Sequence, residues 1–485
     1  MTADSRDLKQ RIVSSIGWKL LEKGGSQVVK LVVQIIMARL LAPDEFGMLA
    51  IMLVFVNIGN VIVQSGLNTA LIQDPDVTKN DYSTVFWLSF IISVVLYALL
   101  FFTAPLIAAF YVQPGLTWPL RVLGLILLIN AYNAVQIGKL TRDLEMKKIF
   151  IATIVSTISS AILGIGSAML GFGVWALVIQ QVTYQLSNVL AHAVQINWRP
   201  GLIFQVSRAK KLFSFGWKLL VSGILNVVNQ SFASLVIGKQ FSGYQLGLVS
   251  QGEKYPAALG SMLDGTIQPV MLSAISKVQN DIAYARRIMR RALKTSTYLV
   301  FPSMCLCAAI APTLVPLLLG EQWRESVPFF QMFCIAYALL PVHTANLQTL
   351  VGLGRSDLFL GLEILKVLVG IACVLVGAFV FNNVCCLVAA FVVASIISSF
   401  INAAPNKKVL DYSYKAQIRD ILPSALLSMG GCIIAFLVSC FAIEGVVLLV
   451  LQIVVFATFY IGTSALIRLE EFTYLINEIV LKVKK

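Results

Sequence analysis

The chain has 485 residues, of which 58% are hydrophobic and only 12% are charged, and its formal net charge at pH 7 is +14. A soluble globular protein carries about 25% charged residues, so this composition excludes a soluble domain and predicts a polytopic membrane protein. The basic residues lie in short segments between apolar runs rather than in one patch, which is typical of membrane surfaces and argues against a nucleic-acid partner.

Apolar segments long enough to cross a bilayer recur along the whole chain. A helix of roughly 20 apolar residues spans the hydrocarbon core. The sequence therefore predicts an all-α polytopic membrane protein with fourteen transmembrane helices, at about 15–41, 46–72, 82–110, 118–137, 149–170, 173–196, 213–239, 246–275, 292–319, 326–351, 357–380, 383–404, 419–440 and 445–467. Turn-forming segments separate several of them, namely Pro43-Asp44-Glu45, Gln113-Pro114-Gly115, Gly171-Phe172-Gly173 and Asn382-Asn383.

The first predicted helix carries a stripe of polar residues. Lys19, Lys23, Gln27, Lys30 and Gln34 follow one another at steps of four, four, three and four, which places them on one helix face. Charged side chains inside a bilayer are costly, so we expect this face to line a water-filled cavity or to contact other helices. Lys30 lies roughly 16 Å beyond Lys19 along the axis and cannot easily reach the headgroups. It is therefore the strongest single candidate for function, followed by Lys23.

Further polar positions recur in later predicted helices. The second helix has Asn57, Asn60, Gln64 and Asn68 on one face, and helices 7 and 8 contribute Lys218, Asn226, Asn229 and Gln268. Helix 4 adds Asn130 and Asn133, and helix 10 adds His343 and Asn346. Each of these amides taken singly is explained as an interhelical hydrogen bond, and the histidine as a packed helix residue. The matching stripes on helices 1, 2, 7 and 8 together predict a shared cavity.

Four carboxylates inside the predicted helices are candidate ion-coupling residues: Asp264, Glu253, Glu22 and Glu363. A structural explanation stands beside each functional one. Glu22 can pair with Lys19, and Glu363 with Lys366, at a helical spacing of three residues. An interhelical hydrogen bond explains Asp264 about as well as a proton or cation site does. Glu253 is adjacent to Lys254, and because neighbours in a helix cannot face each other, each needs another partner.

The sequence contains an internal repeat. Residues 15–21 (SIGWKLL) and 214–220 (SFGWKLL) are nearly identical, and an offset of 199 to 200 residues continues through pairs such as Asn80-Asp81 and Asn280-Asp281. We therefore predict two pseudo-symmetric six-helix lobes related by an axis along the membrane normal, around a central cavity. The first lobe covers 1–196, a cytoplasmic linker 197–212, the second lobe 213–404, and a C-terminal helical hairpin with a cytoplasmic tail 405–485.

Lysine and arginine are distributed unevenly between the connecting segments. If the N-terminus is cytoplasmic, 27 of the 37 basic residues lie in cytoplasmic segments, and only Arg39, Lys239 and Arg324 lie on the opposite side. Cytoplasmic loops of membrane proteins carry such an excess. The asymmetry predicts that both termini are cytoplasmic and that the number of spans is even.

Cysteine and histidine usage predicts neither a disulfide framework nor a metal site. The eight cysteines fall in or beside apolar runs, no CxxC motif occurs, and the chain has only two histidines. We expect the cysteines to be small interior residues, and we expect no cofactor.

Six segments carry a resemblance to a known family: FGWKLL at 215–220, LVIGKQFS at 235–242, YPAALG at 255–260, VFPSM at 300–304, LVPLLLGEQW at 314–323 and LGRSDLFLGLEILK at 353–366. In these segments the chain resembles the Wzx-type polysaccharide or O-antigen repeat flippases of the multidrug/oligosaccharidyl-lipid/polysaccharide exporter superfamily, in the colanic-acid-exporter-like branch. The resemblance covers helices 1–12.

The resemblance implies a cavity lined by helices 1, 2, 7 and 8, alternating access, and location in the bacterial inner membrane. It implies a cargo of undecaprenyl-pyrophosphate-linked oligosaccharide, moved between membrane lipid leaflets for surface polysaccharide synthesis. The cavity cations Lys19, Lys23, Lys30 and Lys218 would then meet the pyrophosphate. The resemblance also implies proton or sodium coupling and cooperation with the polysaccharide polymerase machinery.

Two other functions compete with a flippase. A drug or cation antiporter of the same fold would favour an acidic and aromatic cavity, whereas the predicted cavity is rich in lysine, which suits an anionic cargo such as a phosphate. A membrane enzyme would need a sizeable external loop, and no loop here exceeds about 16 residues. A Walker A motif is absent from the sequence. The expectation is therefore a transporter that is not an enzyme.

Overall fold

The structure is a computed structural model that describes residues 18, 25–64, 67–68, 71, 77–441 and 443–483. In this part of the chain, all regular secondary structure is helical. The chain divides into two compact units, Met1–Gly247 and Leu248–Lys485.

The helices of the first unit follow the predicted order. Among the described residues they are α1 (25–40), α2 (Pro43–Gln64), α3 (Lys79–Phe110), α4 (Thr117–Arg142), α5 (Met146–Met169), α6 (Val174–Gln195) and α7 (Val206–Gln240). Helix α8 (Gly243–Ser276) begins in this unit and continues into the second. Helix α7 starts seven residues before the predicted position, so the second half of the predicted linker 197–212 is helical.

The predicted dividers coincide with helix ends. Pro43 is the first residue of α2, where a missing N–H costs nothing because first-turn N–H groups have no helical partner. Glu45 Oε2 accepts a hydrogen bond from the Ala42 N–H at 2.7 Å. Between α5 and α6, Gly171 and Gly173 have φ of +78° and +55°, which glycine adopts without the strain of a Cβ.

The repeated Asn-Asp pair marks the start of a helix in both copies. Asp81 lies in the first turn of α3 and accepts from the Thr78 N–H at 2.8 Å, and Asp281 accepts from the Tyr284 N–H at 2.8 Å. Asp81 is fully buried and also accepts two hydrogen bonds of 2.7 Å from Arg208. This carboxylate therefore joins the starts of α3 and α7.

The second unit continues with further helices. They are α9 (Ile282–Leu319), α10 (Val327–Ala338), α11 (Leu340–Gly352), α12 (Ser356–Leu375), α13 (Val384–Ala403), α14 (Asn406–Leu410), α15 (Tyr414–Val438), α16 (Gly445–Leu466) and α17 (Glu470–Val483). The single helix predicted at 326–351 is broken at Leu339, two residues before Pro341, which cannot donate a backbone hydrogen bond. Helix α9 begins ten residues before its predicted start, because a basic segment that hydropathy excludes from the bilayer still continues the helix.

Within the described residues, eleven helical segments are long and apolar enough to cross a membrane. They correspond to eleven of the fourteen predicted spans, and the chain is a multi-pass membrane protein. Two of the remaining predictions coincide with α6 and α8, whose many polar side chains keep them out of this set. The third, at 15–41, begins outside the described residues. The count of fourteen therefore stays a prediction.

The segment predicted as part of a cytoplasmic tail contains helix α17. Helix α17 is amphipathic, and its Phe472 and Leu475 pack against a core cluster that includes Tyr298 and Phe456. Its acidic first turn contacts α9, where Lys294 Nζ lies 2.8 Å from Glu471 Oε1. The tail is therefore folded onto the cytoplasmic end predicted for α9 and α16.

Candidate functional site

The structure describes one of the four predicted cavity lysines completely. Lys30 is described with its side chain, and Lys218 only as backbone within α7. Lys19, Lys23 and Glu22 lie outside the described residues. Of the predicted four-lysine site, the structure therefore describes the surroundings of Lys30 alone, and the site stays a prediction.

Lys30 lies beside an aromatic residue of α6. Its Nζ is 3.4 Å from Tyr184 Oη and 4.9 Å from the centroid of the Tyr184 ring. An ammonium over a tyrosine ring is attracted by the negative face of the ring. The lysine side chain is exposed, whereas Gln27 and Gln34 on the same helix are half-buried. The predicted stripe thus brings a cation to the edge of α6.

Tyr184 also lines a cavity of about 350 Å³ inside the first unit. We call it the polar cavity; its lining consists of Gln64, Asn68, Asn130, Asn133, Ala134, Ile137, Ile149, Thr153, Tyr184, Gln185, Asn188 and His192. Two residues of the predicted second-helix stripe, Gln64 and Asn68, are among them. Among the residues that the structure describes, the lining contains amides, a phenol, a hydroxyl and an imidazole but no carboxylate and no lysine or arginine.

Amide side chains connect the walls of the polar cavity. Asn130 Nδ2 donates to Asn60 Oδ1 at 2.9 Å, joining α4 to α2. Asn133 Nδ2 donates to Asn188 Oδ1 at 3.1 Å, joining α4 to α6. Of the predicted α2 stripe, Asn60 therefore acts as an interhelical link, while Asn57 is exposed.

The contacts of Asn133 determine the proton position on His192. His192 Nδ1 is 3.0 Å from Asn133 Oδ1, and this oxygen can only accept. His192 Nδ1 therefore carries the hydrogen, and in the neutral ring Nε2 is left as an acceptor. His192 is fully buried, and its Nε2 has no hydrogen-bond partner in the part of the chain that the structure describes.

A glycine makes room for a second acceptor of the polar cavity. A Cβ built on Gly138 of α4 would collide with Asn68 Oδ1. That oxygen is buried and has no hydrogen-bond partner among the described residues. Two side chains that contribute to the lining of the polar cavity, Asn68 and His192, thus each carry a buried acceptor atom without a donor.

The predicted carboxylates of the second unit occupy different environments. Glu253 Oε1 accepts from Tyr337 Oη at 2.9 Å. Asp264 accepts from Thr344, which is the interhelical hydrogen bond that the sequence left open, and its Oδ1 is buried without a partner. Glu363 Oε1 pairs with Lys366 Nζ at 2.6 Å at the expected spacing.

The remaining predicted lining residues lie on exposed helix surfaces. Asn226 and Asn229 are exposed on α7, where Gln230 Nε2 donates to Asn226 Oδ1 at 3.0 Å. Gln268 is exposed on α8. Their place in a common cavity with the first-unit residues stays a prediction.

His343 belongs to an asparagine–histidine pair that repeats the one in the first unit. Asn402 Nδ2 donates to His343 Nδ1 at 3.0 Å, and His343 Nε2 is 3.4 Å from Ser395 Oγ. In both pairs the partners are 59 residues apart, and a single offset of 210 residues carries Asn133 to His343 and His192 to Asn402. The residue types are exchanged between the copies. His192, Asn188 and Tyr184 were missed by the sequence reasoning, and this offset is the signal that could have found His192.

No metal centre accompanies these groups in the part of the chain that the structure describes. No cluster of three or more His, Cys, Asp or Glu side chains there could hold a metal ion. All eight cysteines are free thiols.

The family and the relatives that this chain resembles in sequence are named for the biosynthesis of polysaccharides and related polymers. A family model described as "Polysaccharide biosynthesis protein" matches residues 36–328. The succinoglycan biosynthesis transport protein ExoT of Rhizobium meliloti is 22% identical over 76% of this chain and 74% of its own length. The lipopolysaccharide biosynthesis protein WzxC of Escherichia coli is 21% identical over 88% of both chains. The teichuronic acid biosynthesis protein TuaB of Bacillus subtilis is 26% identical over 61% of this chain and 62% of its own.

Solved structures show the fold. Lipid II flippase MurJ in an inward closed conformation matches with a TM-score of 0.77 at 12% identity, covering 93% of this chain and 99% of that chain. An inward-facing multidrug resistance transporter of the MATE family, from the MOP superfamily, matches with a TM-score of 0.58 at 14% identity, covering 79% and 94%. The chain therefore has the helical fold that these transporters share.

Proposed function

Because this chain belongs to the polysaccharide biosynthesis protein family, we propose that it is a flippase for lipid-linked oligosaccharides. It translocates undecaprenyl-pyrophosphate-linked repeat units across the bacterial inner membrane by alternating access. The names of the curated relatives support this proposal, since they cover succinoglycan, lipopolysaccharide and teichuronic acid. These polymers differ in their sugars, so a shared function concerns the class of precursor rather than one sugar.

The observation that carries the proposal is the position of Lys30. The cargo combines an apolar tail, a pyrophosphate and a polar saccharide. Lys30 places an exposed ammonium beside Tyr184, at the edge of the polar cavity, whose described lining residues are uncharged amides, hydroxyls, an imidazole and apolar side chains. An ammonium is a suitable partner for phosphate oxygens, and an uncharged polar cavity suits the saccharide. We assign the pyrophosphate to Lys30, and to Lys19, Lys23 and Lys218 as further cations.

The proposal includes fourteen spans in two lobes of six with a C-terminal hairpin. Helices α6 and α8 have 22 and 34 residues, roughly 33 and 51 Å at 1.5 Å per residue, and a hydrocarbon core is about 30 Å thick. Both are therefore long enough to cross. In α6 the polar residues line the polar cavity, which explains how a helix with several amides could be accommodated in a membrane.

We propose that the activity is transport rather than catalysis, and that transport is coupled to an ion gradient. A proton or sodium gradient would drive the cycle, with Asp264 and Glu253 as the first candidates for the coupling ion. Glu363 is the weaker candidate because it already pairs with Lys366. The released precursor would pass to the polysaccharide polymerase machinery.

A drug or cation antiporter is the less supported alternative. Its support is the similarity to MATE transporters, which concerns the fold alone. A cationic drug or metal ion favours carboxylates, and none is found among the described residues that line the polar cavity.

The test in cells replaces Lys30. Lys30→Ala should abolish surface polysaccharide while the protein stays in the membrane, because the cation for the pyrophosphate is lost. Lys30→Arg should retain partial export. Lys239→Ala is the matched control, since Lys239 also lies over an aromatic ring, 4.3 Å from the centroid of Phe110, but not at the polar cavity. Normal surface polysaccharide with Lys30→Ala would rule out this role of Lys30.

A further inference from the structure

The short helix α14 and the start of α15, in the second unit, form a basic surface. Four cations on these two helices are exposed, and we call them the basic patch: Lys407, Lys408, Lys415 and Arg419. Among the described residues, none of the four has an acidic partner at ion-pair distance. The chain turns between the two helices at Asp411, which has φ of +51°, so the two pairs of cations lie on consecutive and tightly connected helices.

Both acids of this segment are already paired with arginines of α9. Asp411 Oδ2 accepts from Arg286 Nη1 at 3.1 Å. Asp420 accepts from Arg290 Nε and Nη2 at 2.8 and 2.7 Å, and from Tyr412 Oη at 2.7 Å. Because these carboxylates are occupied, they do not compensate the basic patch. The patch therefore attracts an anion from outside the described part of the chain.

The basic patch continues into an apolar face of α15. Exposed side chains follow one another at steps of four, three, four, three, four and three residues, which places them on one helix face: Lys415, Arg419, Leu422, Leu426, Met429, Ile433 and Phe436. The apolar part of this face is roughly 21 Å long at 1.5 Å per residue. One leaflet contributes about 15 Å, half of the hydrocarbon core. The face therefore combines cations at one end with an apolar surface as long as an acyl chain.

A second apolar face meets the first one beside the basic patch. Helix α13 exposes four large apolar side chains: Val393, Ile396, Ile397 and Phe400. At the end of this helix, Ser399 Oγ lies 2.9 Å from Tyr414 Oη, and the ring centroids of Phe400 and Tyr414 are 4.1 Å apart. Two exposed apolar faces thus converge where the two pairs of cations lie.

The chemistry of these surfaces distinguishes between classes of anion. A free phosphate makes no use of the apolar faces. A zwitterionic phospholipid carries an ammonium group, which the basic patch repels. The pyrophosphate of the proposed cargo carries a single polyprenyl chain, which would occupy only one of the two faces. A phospholipid with two phosphates and several acyl chains matches both pairs of cations and both apolar faces.

We propose that the basic patch binds an anionic phospholipid of the surrounding membrane that carries two phosphates. Lys407 and Lys408 meet one phosphate, and Lys415 and Arg419 meet the other. The acyl chains lie on the exposed faces of α13 and α15. Clusters of lysine and arginine at the cytoplasmic ends of membrane helices bind anionic headgroups in this way. This lipid stays bound at the surface of the unit, whereas the proposed flippase carries its cargo between leaflets, so the site does not depend on flippase activity.

The experiment measures lipid binding to the full-length, delipidated protein in detergent by native mass spectrometry. The probes are tetraoleoyl cardiolipin with two phosphates, dioleoyl phosphatidylglycerol with one, and zwitterionic dioleoyl phosphatidylethanolamine. The Kd for cardiolipin should be about tenfold or more below that for phosphatidylethanolamine, with phosphatidylglycerol between them, because each cation near a headgroup adds to the attraction. Equal Kd values for the three lipids would overturn the proposal.

Two double variants remove one pair of cations each. Lys415→Gln with Arg419→Gln, and Lys407→Gln with Lys408→Gln, should each weaken cardiolipin binding about tenfold. These exposed side chains make no described hydrogen bond or ion pair, so the thermal unfolding midpoint in detergent should not change. Cardiolipin binding that survives both double variants would overturn the site.

A matched control separates the basic patch from net charge. Lys277→Gln with Arg468→Gln also removes two exposed cations of the second unit, and the Kd for cardiolipin should stay within about twofold of wild type. An equal loss of binding in this control would show that net charge alone attracts the lipid, and would overturn the site.

A competition experiment separates the phospholipid from the cargo. Undecaprenyl pyrophosphate at the same concentration should leave cardiolipin bound to the wild type. Displacement of cardiolipin by this lipid would overturn the assignment to a phospholipid and make the basic patch a docking site for the cargo.

Discussion

His192 and His343 are each hydrogen-bonded to an asparagine, but the direction of the bond differs between the two units. In the first unit the ring donates through Nδ1 to Asn133 Oδ1, and its Nε2 is buried without a partner among the described residues. In the second unit the ring accepts through Nδ1 from Asn402, and Nε2 lies near Ser395. The direction of one hydrogen bond therefore decides which ring nitrogen carries the hydrogen.

Gly138 offers a test of the polar cavity that alters no polar atom. In Gly138→Ala the new Cβ displaces the Asn68 side chain at the wall of the polar cavity, so the saccharide should lose a hydrogen bond to that amide, which costs roughly 0.5–1.5 kcal/mol. We expect transport of the lipid-linked saccharide to fall about two- to tenfold, measured as the initial rate in proteoliposomes. Gly166→Ala is the control, because its Cβ would meet open space. Equal rates for the two variants would show that transport does not depend on the position of the Asn68 side chain.

The sequence singles out individual side chains where a polar residue lies within an otherwise apolar helix. Lys30, Gln64, Asn68, Asn133 and His343 were identified on that basis. Their partners were not, because Tyr184 and His192 come close only when α6 packs against its neighbours. Tyrosine is enriched at both membrane interfaces, so Tyr184 does not stand out alone.

At the level of elements, α17 depends on a contact that hydropathy does not detect. Lys294 is 14% exposed and pairs with Glu471, which is 5% exposed, and with Glu470, which is 80% exposed. The two acids differ in burial but share a partner. They therefore form a matched pair for measuring what holds this helix.

Glu471→Gln should destabilise the protein more than Glu470→Gln does. Removing the buried charge leaves Lys294 partly uncompensated and should cost about 2 kcal/mol. Removing the exposed charge should cost less than about 1 kcal/mol, as for surface ion pairs. The measurement is the thermal unfolding midpoint of each purified variant in detergent. Equal midpoints would mean that α17 is held by its apolar face alone.

Helix positions followed from hydropathy, while helix ends followed from local chemistry. Pro43, Gly171 and Gly173 marked real breaks because their backbone requirements are local. The predicted starts of α7 and α9 were too late in the sequence. Both helices begin with basic residues, which hydropathy excludes from the membrane span although they are helical. The amphipathic α17 was missed because a tail helix is stabilised by tertiary packing on Tyr298 and Phe456.

At the scale of the whole molecule, the sequence repeat and the composition were enough to predict the class of fold. The MurJ-like fold agrees with an all-helical membrane protein, while the parallel repeats stay a prediction. The offset of 199 to 200 residues near the first helices becomes 210 at the asparagine–histidine pairs. The predicted repeat therefore requires an insertion in the second copy.

The predicted orientation can be tested with two single-cysteine variants. Leu202 is 91% exposed between α6 and α7, and Cys440 is exposed after α15. In cysteine-free backgrounds, Leu202→Cys should react with an impermeant maleimide only from the cytoplasmic side. A chain that keeps Cys440 alone should react only from the opposite side. Labelling of both positions from one side would contradict the topology.

The central claim is that this protein moves lipid-linked oligosaccharide between leaflets. The most direct measurement is the loss of protected fluorescence when proteoliposomes containing undecaprenyl-pyrophosphate-linked oligosaccharide, labelled on the sugar, are exposed to a membrane-impermeant quencher. Wild-type protein and Lys239→Ala should carry the labelled lipid between leaflets, and Lys30→Ala should behave like protein-free vesicles. A wild-type protein that leaves this lipid in place and instead exchanges a cationic dye such as ethidium for protons would contradict the account.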